Sequence, residues 1–76
     1  MNKARRDQLQ KATSLLEEAR EIIECVRDEE QEAFDNLPEG LQQSERGSRM
    51  EEVVSLLEDC VGSVEEVVSQ IEEAVS

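Results

Sequence analysis

Seventy-six residues with a single aromatic, Phe34, and no Trp, Tyr or His cannot build a broad globular core. A chain this short also leaves roughly a third or more of its unfolded-state surface exposed after folding. Twenty acids against eight bases give a net charge of −12, which repels phosphate backbones and argues against direct DNA or RNA binding through a basic surface. The charged and hydrophobic fractions are equal at 37%, so apolar residues suffice for thin helical seams and little more.

Two Cys without a His cannot complete a four-ligand zinc site within one chain. No stretch approaches the roughly 18 to 20 apolar residues of a membrane helix, and MNKARRDQLQKATSLL lacks the apolar run of a secretory signal. The expectation is a cytoplasmic protein with no membrane contact, no cofactor and no metal, and with Cys25 and Cys60 as free thiols that act as small packing residues.

A first helix is expected over about 3–36. Leu9, Ala12, Leu16, Ala19, Ile23, Val26, Glu30, Ala33 and Leu37 recur at alternating spacings of three and four, which is a heptad seam. Leu15 and Ile22 widen the apolar stripe and favour a bundle over a two-stranded coil. Glu30 marks a wet end of the seam or a buried partner for Arg46 or Arg49. Bases crowd the start of this helix and acids its end, against the helix dipole, so an antiparallel neighbour with acids at its own C-terminus is expected to compensate.

The loop is expected over 37–47, where the only Pro and two of the three Gly interrupt the pattern. Pro38 biases Leu37 away from helix, and Gly40 is free to take a positive backbone angle. Ser48 with Glu51 three residues on reads as a capping box opening the second helix, with Gly47 easing the entry of the chain. Asn36, Gln42, Gln43, Arg46, Ser48 and Arg49 form a candidate ligand site, because arginines beside a helix N-terminus can hold a phosphate or carboxylate. The alternative is that the arginines pair with Glu29, Glu30 or Glu32 across the hairpin.

The second helix, about 48–75, divides into EEVVSLL, EDCVGSV, EEVVSQI and EEAVS. Its expected seam is Met50, Val53, Leu57, Cys60, Val64, Val67, Ile71 and Ala74, with a third apolar line of Val54, Val61, Val68 and Val75. Three apolar positions per heptad are too many for one partner helix. The fold class is therefore all-α: an antiparallel two-helix hairpin that self-associates into a homodimeric four-helix bundle or a higher oligomer. Glu51, Glu52, Glu58, Asp59, Glu65, Glu66, Glu72 and Glu73 form a stripe without an intervening base, either a solvated face or a surface that imitates nucleic acid towards a basic-surfaced protein. Successive pairs stand about 10 Å apart, which does not copy phosphate spacing closely.

The run AFDNLPEGLQQSERGSRMEE, followed by acidic heptads, resembles a group of small acidic helical-hairpin proteins of bacteria and their phages or mobile elements. The likeness spans roughly 29–76, with its specific part in the loop, and implies an accessory protein without supplying catalytic residues. No nucleophile is paired with an activating base and no phosphate-binding Gly loop is present, so the chain reads as a non-enzyme. Three functions compete: an inhibitor of a host defence or nucleic-acid-processing protein, a sponge for a phosphorylated signal nucleotide held by Arg46 and Arg49, and a scaffold without ligand.

Overall fold

A computed structural model describes all of residues 1–76. Helix α1 runs Lys3–Asp35, a four-residue helix α2 covers Glu39–Gln42, and α3 runs Glu45–Val75. The two long helices lie antiparallel in an extended hairpin without strands, 58 × 15 × 13 Å across its Cα atoms. A compact chain of this length has a radius of gyration of about 11 Å, against 17.3 Å here. No helix is long and apolar enough to cross a membrane.

Asn2 caps α1, its side chain accepting from the Arg5 amide at 2.9 Å. The helix ends at Asp35, and Asn36 closes it by donating its backbone amide to the Glu32 carbonyl at 3.0 Å. This end agrees with the restriction that Pro38 places on Leu37.

The start of the second long helix departs from expectation. Ser44, not Ser48, is its cap: the Ser44 hydroxyl accepts from the Gly47 amide at 3.3 Å, and the Ser48 amide donates to the Ser44 carbonyl at 2.9 Å. Ser48 thus lies inside α3, and the Ser48–Glu51 capping box does not form. Gly47 carries the reason. Its backbone packs against α2, so that an added Cβ would overlap the Gln42 carbonyl oxygen and lie 2.7 Å from the Leu41 oxygen. Starting the helix one turn early brings this glycine against the short helix and buries it. No Gly has a positive φ, so neither Gly40 nor Gly47 serves the turn as expected.

The seam is shifted as well. On α3 the buried side chains are Met50, Val54, Val61 and Val68, with Leu57, Val64, Ile71 and Val75 half-buried beside them. The third apolar line is therefore the inner one, while Cys60, Val67 and Ala74, expected in the seam, are exposed. On α1 the shared line Leu9, Leu16, Ile23, Glu30 and Leu37 is half-buried as expected. Its companions are Thr13, Arg20, Arg27 and Phe34, whereas of the expected line Ala12 and Ala19 are half-buried and Val26 and Ala33 are exposed. A stripe three positions wide contains two heptad seams that share one line, and a single hairpin closes only one of them. Here the stems of Arg20 and Arg27 cover one flank of the closed seam.

Cys25 and Cys60 are free thiols, but both are exposed, so neither fills the core as a packing residue. At the open end, Glu72 and Glu73 form no ion pair with the bases of α1, and the one pair there is local, Lys3 to Asp7 at 3.9 Å.

Gly47→Ala is expected to destabilise the hairpin by about 1–3 kcal/mol, because overpacking against main chain outweighs the gain of up to about 1 kcal/mol in helix propensity. Gly62→Ala, in the same helix with nothing within 4 Å of the added methyl, should stabilise by up to about 1 kcal/mol. Urea denaturation at matched protein concentration distinguishes the two signs.

Candidate functional site

The electrostatic centre of the hairpin is Arg20, set by α1 beside the seam. Its guanidinium donates to Glu17 at 3.0 Å and to Glu24 at 2.9 Å, one turn before and after it on the same helix. It also approaches Glu65 of α3 at 3.9 Å, the one ion pair that joins the two long helices. The hydrogen bond to Glu17 and the charge of Glu24 hold Arg20 still more firmly protonated than a free arginine.

This contact fixes both register and facing. Residues of α1 and α3 whose numbers add to about 85 lie at equal height. The flanks that carry Glu17 and Glu24 on α1 and Glu65 on α3 share one side of the hairpin. Heptad winding puts Glu51, Glu58 and Glu72 in line with Glu65. One side therefore presents a two-helix acidic face in which Arg20 lies between rows of carboxylates. The second predicted line, Glu52, Asp59, Glu66 and Glu73, turns to the back of α3, away from α1. All eight acids of the predicted stripe are exposed, but they divide between a shared face and an outer edge.

Sequence reading missed Glu17, Arg20 and Glu24 as members of this face. The spacing Glu17, Arg20, Glu24, with an acid three residues before and four after a base, is the local signal that marks them. On its own helix it reads as an ordinary surface cluster, and its significance comes from Glu65.

The residues of the predicted loop site make separate local contacts. Gln42 is half-buried, and its side-chain amide donates to the Phe34 and Leu37 carbonyls at 3.2 Å each, tying α2 to the end of α1. Arg49 pairs with Glu52 one turn on at 3.2 Å, not with Glu29, Glu30 or Glu32, and Arg46 makes no ion pair. Asn36, Gln43, Arg46, Ser48 and Arg49 are exposed. The two surface concavities lie elsewhere, one at the open end around Lys3, Arg6 and Val75, the other on α1 beside Glu18, Ile22 and Cys25. No group of three His, Cys, Asp or Glu side chains could hold a metal ion.

The side opposite the acidic face is apolar. Viewed end on, antiparallel helices wind in opposite senses, so the flank a quarter-turn to the same numerical side of each seam falls on one side of the hairpin. That side carries Ala12, Leu15, Ala19, Ile22 and Val26 of α1. From α3 it carries Val53, Leu56, Cys60, Ser63, Val67, Gln70 and Ala74. Ile22 is 65% exposed, Leu15 55% and Leu56 50%, and no carboxylate interrupts either row.

No family model, curated protein or solved structure matches this chain.

With a net charge of −12 and one ion pair between the long helices, repulsion among carboxylates outweighs the attractions that salt would weaken. Raising NaCl from about 10 mM to about 1 M shortens the screening length from about 30 to 3 Å. The thermal midpoint is expected to rise by several degrees across this range, followed by circular dichroism; a falling midpoint would mean that the Arg20 cluster dominates instead.

Proposed function

We propose that this chain is a non-enzymatic interaction protein that self-associates through its apolar side as a four-helix bundle and offers its acidic face to a basic-surfaced partner protein. The observation behind this reading is the segregation of the two surfaces onto opposite sides of one hairpin. Exposed hydrophobic residues in an extended hairpin are consistent with some binding partner, including a second copy. A compact monomer of 8.6 kDa would expose about 4,700 Å², whereas the hairpin exposes 5663 Å².

The acidic face extends over two helices, so a basic groove that ordinarily holds nucleic acid can meet carboxylates across its width. Its charge pattern is coarser than a phosphate backbone, which suits occlusion of the groove better than copying of the duplex. The loop's resemblance to bacterial and phage hairpin proteins fits an inhibitor, carried by a phage or mobile element, that blocks a host defence or nucleic-acid-processing protein. Such an inhibitor acts in the cytoplasm of the infected cell and requires neither cofactor nor catalysis.

A variant carrying Glu51→Lys, Glu58→Lys and Glu72→Lys, which lie on this face and leave the Arg20–Glu65 contact in place, tests this reading. The native chain, used as bait in a bacterial lysate, is expected to capture proteins that added duplex DNA releases. The variant, with unchanged helicity, is expected to capture none of them. If the variant retains the same proteins, or if DNA fails to release them, the acidic face is not the binding surface.

A further inference from the structure

We propose that two copies of the chain pack through the apolar side of the hairpin with their loops at opposite ends, the two-fold axis crossing the helices near Ile22 and Ser63. The inference rests on the self-association proposed above and adds its face, direction and centre.

Three observations select a second copy as the occupant. The first is charge. Away from the basic start of α1, the other sides of this chain carry most of its twenty acids and repel an identical chain. Between Ala12 and Val26 on α1, and between Val53 and Ala74 on α3, the rows of this side hold no charged residue; Ala12, Ala19 and Val53 are half-buried in them, and Glu29 follows Leu15 and Ile22 on the same heptad line.

The second observation is area. The side extends about 32 Å along α3 from Val53 to Ala74 at 1.5 Å per residue, a length that takes in Glu29 of α1 near one end, and two helices 8–10 Å apart make it roughly 20 Å wide. Two copies would then bury about 1,200 Å² in total, the lower bound for a specific and stable interface. The third is spacing. Leu15, Ala19, Ile22 and Val26 recur at alternating intervals of four and three, as do Val53, Leu56, Cys60 and Ser63 at three and four. This is the interval that lets the side chains of one helix enter the gaps of another.

The direction follows from the ends. At the loop end, residues 28–52 hold nine acids and two bases, while at the open end Lys3, Arg5, Arg6 and Lys11 face three acids, Asp7, Glu72 and Glu73. Loops at one end would set two strongly negative regions side by side; loops at opposite ends set each beside the basic start of the other α1. The centre follows from the register. The row of α3 from Val53 to Ala74 is centred near residue 63, which lies at the height of residue 22 on α1. Each α3 then lies over the other copy's α3, with Ser63 close to its own equivalent.

The test uses full-length chain in which Cys25→Ser and Cys60→Ser remove the native thiols. Under mild oxidation, Ser63→Cys is expected to give a disulfide-linked dimer on a non-reducing gel, and an equimolar mixture with Ile22→Cys chains is expected to give no mixed product. A mixed product in place of the Ser63→Cys homodimer would put the loops at one end and overturn the proposed direction. A dimeric mass by sedimentation equilibrium with neither link would place the contact on another surface and overturn the proposal alone. A monomeric mass would overturn both it and the self-association reading. Ile22→Lys is expected to weaken self-association by more than about tenfold, because it would bury a charge at the centre of the contact.

Discussion

Each long helix carries apolar residues over more of its circumference than one neighbouring helix can cover, and the rest of the structure depends on that excess. The hairpin closes one seam and leaves another open beside it. What remains is a thin molecule with four buried hydrophobic residues, Met50, Val54, Val61 and Val68, none of them completely enclosed. Stability of so slight a core is limited, and the same excess leaves apolar side chains exposed, which is consistent with some binding partner.

Charge is arranged to suit this division. Carboxylates occupy the flank opposite the open seam and the back of α3, where water screens them, and Arg20 relieves the densest part by binding Glu17 and Glu24 and approaching Glu65. Repulsion therefore acts along one side, and the other is left free of it. The hairpin keeps its two kinds of surface apart because heptad repetition in both helices holds each residue type at a constant angular position over many turns.

The hairpin itself was legible in the sequence, since Pro38 ends one periodic segment and the acidic heptads start another. The choice of seam was not. Val53 and Val54 precede the same Leu57 at heptad-compatible spacings, and which of them faces inward depends on the side from which α1 approaches. That is a property of the connection, not of the helix. The cap differs from expectation for a similar reason: Ser48 and Glu51 make the stronger local motif, but contact between Gly47 and Gln42 favours a start at Ser44. The eight acids were visible as a stripe, whereas the membership of Glu17 and Glu24 required the approach of Glu65 across the interhelical gap.

The corner at Gly47 has a wider consequence. Main chain there meets main chain, and the side-chain amide of Gln42 secures the short helix to the carbonyls of Phe34 and Leu37. The way the hairpin bends is therefore set by atoms that most substitutions leave unchanged. Residues on either broad side can therefore be exchanged while the frame that displays them persists.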